Sequence, residues 1–396
     1  MIETLVPWPL PTGIRSRRVA GINRLRVHLL EAGHEGPDAG RERPCVLLLH
    51  GFPELSYSWR RVMPALAAAG YHVVAPDQRG YGRTLGEAGA SRAAEGATYD
   101  DDLTPFRLLN LVRDALGLVA AIGRRSVAAV IGHDFGSIVA AWCALVRPDV
   151  FRSVVLMSAP FGGAPALPFD TERSGDGPAP ERPTPSIDEA LAALPRPRKH
   201  YQWYYSGREA DADMRFAPQG LQAFLRAYYH HKSADWPGNR PHPLAGWTAQ
   251  ALAELPTYYV MDRGAGMADT VAAEMPDARQ IAANRWLPDR ELAVYATEFG
   301  RTGFQPALQW YRCLTSDAFV AELQIYSGRT IDVPSIYIAG ASDWGIHQKP
   351  GAFEAMQTTA CTRMDAVHLI PGAGHWVQQE RPDEVNPVLV DFLAGH

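Results

Sequence analysis

Three polar residues that follow apolar runs could together provide a nucleophile, an acid and a base. Asp134 stands in the turn Gly132-His133-Asp134-Phe135-Gly136, between the apolar run SVAAVIG and a helical pattern. Asp343 and His375 each follow a later apolar run. A carboxylate can form an ester by displacing a leaving group from saturated carbon, and a histidine oriented by a second carboxylate can activate water to hydrolyse that ester. The residue types therefore predict catalysis through a covalent intermediate.

Each of these residues also has a purely structural interpretation. Asp134 could be an ordinary turn residue, and His375 could be a capping or core histidine. Asp365 is a second candidate for the acid, but it precedes its predicted strand, whereas Asp343 follows one. The order of nucleophile, acid and histidine along the chain favours Asp134, Asp343 and His375 as a catalytic triad.

Apolar patterning places the three residues at the ends of strands in a parallel sheet. Strands are predicted at 24–33, 45–50, 71–77, 126–134, 151–160, 333–340 and 366–370. Helices are predicted at 56–69, 105–122, 135–146 and 384–393. This alternation predicts an α/β fold with a mostly parallel central sheet and helices on both faces. Because ligands bind beyond the carboxyl ends of such strands, the three polar residues are expected to meet there.

The sheet pattern is interrupted in the second half of the chain. Residues 161–190 are rich in Gly and Pro without periodicity, which is typical of a linker. The following residues, up to 331, have helical patterns and many aromatic side chains. We therefore predict a core formed by 1–160 and 332–396, with a helical cap, or lid, at 161–331. The cap follows the strand predicted at 151–160, which we expect to be the sixth strand of the fold.

Composition argues against several classes of function. The 396 residues carry a net charge of -5 and no basic stripe, so neither nucleic acid nor an anionic membrane is an expected partner. No apolar run is long enough to span a bilayer, and the proline-broken N-terminus does not resemble a signal peptide. Four scattered cysteines show no metal or redox spacing and are predicted to be buried thiols: Cys45, Cys143, Cys313 and Cys361. We expect a soluble cytoplasmic protein, a monomer or homodimer, without a metal or another cofactor.

The motifs resemble those of the soluble epoxide hydrolases, a branch of the α/β-hydrolase superfamily. The resemblance rests on His50-Gly51-Phe52-Pro53, on the turn around Asp134, and on Gly374-His375-Trp376 followed by QQERP. It covers nearly the whole chain except 161–195. It implies an α/β-hydrolase fold and an enzyme that opens epoxides to vicinal diols, with the small-molecule epoxide and water as its partners.

The resemblance also assigns roles to individual residues. Asp134 is implied as the nucleophile and His375, oriented by Asp343, as the base that activates water. Some relatives place the acid after the sixth strand, but Ser158-Ala159-Pro160 offers no carboxylate there. The backbone amides of Phe52 and Phe135 are implied as the oxyanion hole. His50 is interpreted as bracing the oxyanion loop and His133 as orienting the turn, whereas the predicted substrate contacts are Phe52, Pro53, Phe135, Gln202 and Trp376.

Opening an epoxide also requires an acid for the ring oxygen, which the resemblance assigns to two lid tyrosines. The segment GFQPALQWYR maps one of them to Tyr311, and HYQWYY maps the other to Tyr201. Tyr204 and Tyr205 are close alternatives to Tyr201 in this segment. For each lid tyrosine the structural alternative is core packing, because aromatic residues at helical spacing are usually core. The neighbouring pair His230 and His231 is interpreted as exposed lid surface.

Other functions on the same fold are possible and have different signatures. A haloalkane dehalogenase shares the nucleophilic aspartate but usually carries Trp and Asn where this chain has Phe135 and Phe52. A fluoroacetate-type dehalogenase would have arginine after the aspartate, and an esterase would have serine at position 134. A non-catalytic ligand-binding protein tends to lose a triad member, and all three are present here.

Overall fold

The computed structural model describes residues 5–34, 43–87, 96–167 and 186–396. Its strands are β1 Ile14–Ile22, β2 Leu25–Ala32, β3 Cys45–Leu49, β4 His72–Pro76, β5 Leu85–Gly86, β6 Ala129–His133, β7 Val154–Met157, β8 Arg198–His200, β9 Val260–Asp262, β10 Ser335–Gly340 and β11 Met364–Ile370.

The helices fall into two groups along the chain. Before β7 and after β10 lie α1 Met63–Ala68, α2 Leu108–Ala121, α3 Phe135–Val146, α14 Ala352–Ala355, α15 Val377–Glu380 and α16 Pro382–Ala394. Between β7 and β10 lie α4 Ile187–Ala192, α5 Tyr201–Tyr205, α6 Ala210–Arg215, α7 Leu221–Lys232, α8 Ala249–Leu252, α9 Met267–Ala272, α10 Ala278–Ala283, α11 Asp289–Thr302, α12 Gln305–Leu314 and α13 Asp317–Ala321.

One large sheet organises the molecule, in the order β1-β2-β4-β3-β6-β7-β10-β11. The first two pairings are antiparallel, and every pairing from β4 to β11 is parallel. The central strands β3, β4, β6 and β7 are buried along their whole length. Continuous apolar runs are what such strands require, because helices cover both faces of a parallel sheet. The predicted fold class is confirmed.

The helical insertion separates two strands that are neighbours in space. β7 pairs directly with β10, although about 180 residues of sequence lie between them. The insertion carries α4–α13 and a small antiparallel pair formed by β8 and β9. The sequence patterns did not predict that pair.

Two local predictions were wrong, each for an identifiable reason. The helix predicted at 56–69 is a 3-10 turn at Ser56–Trp59 followed by α1, because Pro64 at the second position of α1 lacks an amide and starts a new helix. The predicted linker 161–190 ends early, since α4 begins at Ile187. Ser186 and Glu189 form the capping box at its start. Residues 168–185 of that predicted linker lie outside the described residues.

The edge strand β1 was missed because its charged residues hide a strand pattern. Arg15 and Arg17 project from it and reach the buried Glu31 on β2, at 2.7 and 2.8 Å. This pairing satisfies a carboxylate that burial would otherwise penalise. The sequence IRSRRVAGI therefore forms a strand despite its low apolar content.

Candidate active site

The candidate residues converge at the carboxyl ends of adjacent parallel strands. Asp134 directly follows β6, and the loop at His50 directly follows the neighbouring β3. Asp343 and His375 follow β10 and β11, which pair with each other. The sheet therefore brings together residues that are more than 200 positions apart in the sequence, as the strand-end argument predicted.

Asp134 sits at a sharp, strained turn between β6 and α3. Its φ is 53°, in the left-handed region that non-glycine residues rarely adopt. The turn needs glycine on both sides: a Cβ on Gly132 would lie 2.0 Å from the carbonyl oxygen of Gly136. A Cβ on Gly136 would lie 2.2 Å from the carbonyl oxygen of Leu49. The turn thus holds the carboxylate at the start of α3, where the helix dipole favours negative charge.

His375 links the two carboxylates. Its Nδ1 lies 3.1 and 3.2 Å from the two carboxylate oxygens of Asp343, and its Nε2 lies 3.3 Å from Oδ2 of Asp134. The residue is fully buried, and Asp343 is 1 % exposed. Because Asp343 accepts from Nδ1–H, Nε2 is the ring nitrogen that faces Asp134.

The environment keeps both carboxylates ionised. Burial opposes the charge of Asp134, but hydrogen bonding and charge from His375 outweigh it and lower the pKa of that carboxyl group. Burial likewise opposes the charge of Asp343, whereas the charge and hydrogen bond of His375 and the amide of Gly345 lower its pKa. Asp134 is therefore a carboxylate, the form that a nucleophile requires.

The rival acid lies elsewhere on the molecule. Asp365 is on β11, and its exposed carboxylate contacts His396 Nε2 at 2.8 Å. The geometry brings Asp343, and not Asp365, to His375.

The loop after β3 presents a backbone amide to the reacting carboxyl group. The amide of Phe52 donates to Oδ1 of Asp134 at 2.9 Å. Gly51 has no room for a side chain, because a Cβ there would lie 2.3 Å from the same Oδ1. Phe135 is the first residue of α3, and the first amides of a helix have no acceptor within it. Two amides flanking Oδ1 would form an oxyanion hole of the kind predicted.

His50 fixes the backbone of this loop. Its Nδ1 donates to the carbonyl of Gly51 at 2.9 Å, and its Nε2 accepts from the amide of Gln78 at 3.1 Å. Burial lowers the pKa of His50, against the opposing charge of Asp77, which keeps the ring neutral for this pair of contacts. The bond at Phe52-Pro53 is cis.

Tyr311 of α12 lies in an aromatic enclosure against the two predicted oxyanion-hole residues. Its ring centre is 5.5 Å from that of Phe52 and 5.3 Å from that of Phe135. Burial, and then the charge of Asp134, hold the pKa of Tyr311 well above the ordinary value near 10. The phenol is therefore protonated, and the charge of Asp134 acts on it.

Tyr201 packs against Tyr311, with ring centres 6.0 Å apart. Its hydroxyl donates to Gln348 at 2.9 Å and accepts from the Gln202 side chain at 3.2 Å. Burial, and then the charge of Asp134, raise its pKa well above 10. The Gln202 side chain therefore contacts the Tyr201 hydroxyl. Its contact with the substrate stays a prediction.

The two alternatives to Tyr201 have hydroxyls that are engaged with other residues. Tyr204 donates to the Asp213 carboxylate. Tyr205 donates to the Tyr228 hydroxyl at 3.0 Å, although its ring lies only 5.0 Å from Tyr311. The Tyr201 hydroxyl likewise donates to Gln348, so hydrogen bonding does not separate the three tyrosines, and Tyr201 as the partner of Tyr311 stays a prediction.

Trp376 and Pro53 brace the site from behind. The Trp376 indole donates to the carbonyl of Tyr229 at 2.9 Å, and its ring lies 4.7 Å from that of His375. The carbonyl of Pro53 accepts from the Tyr229 hydroxyl at 2.9 Å. Both predicted substrate contacts therefore lie next to site residues and are held by the same tyrosine.

A buried network that sequence reasoning missed supports the triad. Glu54 accepts from the Gly51 amide at 3.0 Å and from His133 Nδ1 at 2.6 Å. The other His133 nitrogen donates to the carbonyl of His375 at 2.7 Å, and Ser158 donates to the same carbonyl at 3.0 Å. Both His133 nitrogens face acceptors, so the ring is an imidazolium paired with Glu54. The sequence HGFPE contained the glutamate, but only the fold reveals its partner.

A second carboxylate missed by sequence reasoning holds the histidine loop. Glu380 accepts backbone hydrogen bonds from Ala234, Gly374 and Trp376, each at 2.9 Å. It therefore fastens the residues on both sides of His375 to the segment that follows α7.

The prediction that His230 and His231 are exposed was wrong. They are 6 % and 0 % exposed, and the ring of His231 packs at 4.5 Å from Trp236 and 4.8 Å from Tyr258. Burial lowers the pKa of His231 to about 3, so it is a neutral core residue. Polar residues at the end of α7 looked exposed because Tyr258, which packs against His231, belongs to a separate segment.

None of the helices in the described ranges is long and apolar enough to cross a membrane. In the same part of the chain, no three His, Cys, Asp or Glu side chains are grouped as metal ligands would be. The four cysteines are buried thiols, as predicted.

Comparison with known proteins identifies the family. Residues 44–382 match the family model described as alpha/beta hydrolase fold. Epoxide hydrolase A of Mycobacterium tuberculosis is 32% identical, over 97% of this chain and 98% of the relative. The chain belongs to the epoxide hydrolase family of α/β-hydrolases.

Solved structures of epoxide hydrolases share the architecture. The epoxide hydrolase from an endophytic Streptomyces has a TM-score of 0.72 and 32% identity, covering 97% of this chain and 96% of that chain. Potato epoxide hydrolase I has a TM-score of 0.70 and 30% identity, covering 97% and 100%. The match extends over the insertion as well as the sheet, so the present chain resembles the solved epoxide hydrolases along nearly its whole length.

Proposed function

We propose that the protein opens epoxides to vicinal diols through an ester formed on Asp134. The observation that carries the proposal is the line of contacts from Asp343 through His375 to Asp134, with the protonated Tyr311 near the same carboxylate. A nucleophilic carboxylate and a phenolic acid on one site suit a three-membered ring, whose opening needs attack at carbon and a proton at oxygen. Family membership supports this reaction class.

The first step forms the ester and opens the ring. Oδ2 of Asp134 attacks an epoxide carbon, and the bond from that carbon to the ring oxygen breaks. The ring oxygen takes the proton of Tyr311, with Tyr201 as the second hydrogen-bond donor. Oδ1 is held by the Phe52 amide and becomes the carbonyl oxygen of the ester.

The second step returns the enzyme and releases the diol. His375 removes a proton from water, whose oxygen attacks the ester carbonyl carbon of Asp134, and Asp343 stabilises the resulting imidazolium. Negative charge develops on Oδ1, which accepts from the Phe52 amide, and the Phe135 amide at the start of α3 is the proposed second donor. The intermediate collapses and releases the diol oxygen, which takes the proton from His375. The second proton of the water, left on the Asp134 carboxyl group, passes to the Tyr311 phenolate and restores both groups. One oxygen of the Asp134 carboxylate then originates from water.

The helical insertion supplies the acid side of the site and acts as its lid. Tyr201 and Tyr311 belong to α5 and α12 of the insertion, whereas Asp134 and His375 belong to the sheet. A lid of this kind excludes bulk water, which strengthens the electrostatic contacts at the reacting atoms. We propose residues 161–331 as the cap and the remainder as the core.

An intact mass spectrum of His375→Gln tests the proposal directly. The variant is incubated with a panel of epoxides and haloalkanes. Without its base the enzyme should stall as the ester, with a mass gain equal to one whole epoxide, and the gain should vanish when Asp134 is also changed to Asn. His368→Gln, on strand β11 and away from the triad, is the control and should show full turnover with no adduct.

Other outcomes reassign the protein. A gain equal to a haloalkane minus HX would make it a dehalogenase. Absence of an adduct with every compound, together with absence of turnover by the unaltered enzyme, would overturn catalysis and favour ligand binding on the same fold.

A further inference from the structure

Lys232, the last residue of α7, is buried next to the histidine loop. Its side chain is 3 % exposed, and its carbonyl accepts from the His375 amide at 2.9 Å. The two segments approach so closely that a Cβ on Gly374 would lie 2.7 Å from the Lys232 carbonyl oxygen. The lysine backbone and the triad histidine are therefore fixed relative to each other.

The ammonium group of Lys232 is surrounded by aromatic rings. Its Nζ lies 5.6 Å from the ring centre of Tyr228, 5.8 Å from Tyr258, 4.9 Å from Tyr259 and 5.4 Å from Trp376. A charge with little access to water is costly to bury, so an ammonium held against four aromatic rings beside the triad calls for a functional explanation.

The charge of Lys232 acts on the carboxylates of the site. Burial lowers the pKa of this lysine, whereas Asp134, Asp343 and Glu54 act in the opposite direction. In return, its positive charge helps to lower the pKa of both Asp134 and Asp343. The aromatic faces also favour a cation. After His375, Lys232 is the next positive charge that acts on both triad carboxylates.

An anchor for an anionic substrate fits these observations less well. A bound anion beside Lys232 would also face Asp134 and Asp343, two negative charges against one positive. The arrangement instead suits negative charge that appears on Asp134 itself during the reaction.

We infer that the ammonium of Lys232 stabilises, through space, the oxyanion that forms on the Asp134 ester when water attacks it. This inference rests on the ester mechanism proposed above. The ammonium adds a full positive charge to the two amides, of Phe52 and Phe135, that are proposed to hold the oxyanion. No sequence motif pointed to Lys232.

The two chemical steps should depend on Lys232 in opposite ways. Ester formation moves negative charge away from Asp134 to the epoxide oxygen, so a nearby cation stabilises the reactant carboxylate. Ester hydrolysis returns negative charge to the same carboxyl group, so the cation stabilises the transition state. A merely structural lysine would affect both steps in the same direction.

The test is a measurement of both steps in Lys232→Met and Lys232→Arg. Enzyme is mixed with excess styrene oxide, and quenched samples are analysed by intact mass to give separate rates for ester formation and ester hydrolysis. In Lys232→Met, hydrolysis should slow on the order of 10-fold to 100-fold, while formation does not slow, so the ester accumulates. Arginine, which remains charged, should restore much of the hydrolysis rate.

Lys199→Met is the matched control. Lys199 is also an ammonium over a tyrosine ring, 4.8 Å from the ring centre of Tyr204, but the carboxylates that act on it are Asp213, Asp188 and Glu209. Its removal should leave the ratio of the two rates unchanged. Lys232→Gln, neutral and polar, replaces the methionine variant if that variant does not fold.

The possible results separate this inference from the proposed function. If Lys232→Met hydrolyses its ester at the rate of the unaltered enzyme, or if both steps slow by the same factor, the role of Lys232 is refuted while the ester mechanism stands. If no ester forms in His375→Gln, the mechanism itself fails.

Discussion

At the scale of single residues, the proposed mechanism pairs a charged nucleophile, Asp134, with an uncharged acid, Tyr311. Tyr311 packs against Phe52 and Phe135, the residues whose amides are proposed to hold the oxyanion. Its pKa is raised by burial and by Asp134, so the phenol gives up its proton only to a stronger base. An opening epoxide oxygen, which becomes an alkoxide, is such a base.

Tyr311→Phe should therefore lower turnover of epoxides on the order of 100-fold while leaving the fold intact, because it removes the proton donor and keeps the ring. Steady-state kinetics with styrene oxide measures the effect. Tyr326→Phe is the control, since this tyrosine packs against Trp142 of α3 rather than at the site, and it should retain full activity. Unchanged turnover in Tyr311→Phe would remove this residue from the mechanism.

Residues with a motif could be predicted from the sequence, and residues without one could not. Asp134, Asp343 and His375 were identified because each follows a strand, and strand ends meet in a parallel sheet. His231 and Lys232 were missed because their burial depends on Trp236, Tyr258 and other aromatic residues contributed by separate segments. Local sequence contains no record of such contacts.

At the scale of elements, the turn between β6 and α3 sets the position of the nucleophile. α3 passes so close to β3 that the Gly136 position touches the backbone of Leu49. The helix could be predicted from Phe135 to Val146 with correct ends, because the strained turn at Asp134 starts it.

Gly136→Ala should destabilise the protein by about 1–3 kcal/mol, because its methyl group would meet the Leu49 carbonyl at 2.2 Å and force α3 away from the sheet. Urea unfolding measures the change. Gly246→Ala, where an added Cβ meets nothing within 4 Å, should change the free energy of unfolding by no more than about 0.5 kcal/mol. Equal stability of the two variants would contradict the close approach.

The accuracy of the element predictions follows from how much of each element is dictated locally. Buried strands such as β3 and β6 were predicted because an apolar run between turn residues has few alternatives. β1 could not be recognised, since its arginines become compatible with a strand only when Glu31 of β2 receives them. β8 and β9 pair across about 60 residues and have only three residues each, too few for a periodic pattern.

At the scale of the whole molecule, one buried ion pair joins segments from both halves of the core. Glu54 and His133 are fully buried, and Glu54 also accepts from the side chains of Gln378 and Gln379 on α15. Through the carbonyl of His375, the pair reaches the histidine loop as well. Loss of either charge would leave its partner buried without compensation.

The stability of the molecule should therefore depend on pH through this pair. Burial opposes the charge of His133, but Glu54 outweighs burial and raises the pKa of His133. The contribution of His133 to stability is therefore complete below its unfolded pKa near 6.5 and is lost as the pH rises through its folded pKa. Burial likewise opposes the charge of Glu54 but His133 lowers its pKa, so that contribution is present above about 4.3 and is lost as pH falls through the folded value. Glu54→Gln should lower the free energy of unfolding by about 3–5 kcal/mol near pH 6 and by clearly less near pH 9.

Urea unfolding at the two pH values measures this difference. The control is Asp100→Asn, an exposed residue whose partner is Arg208, and it should show no measurable change at either pH. A cost for Glu54→Gln that is the same at both pH values would show that His133 is not charged in the folded protein.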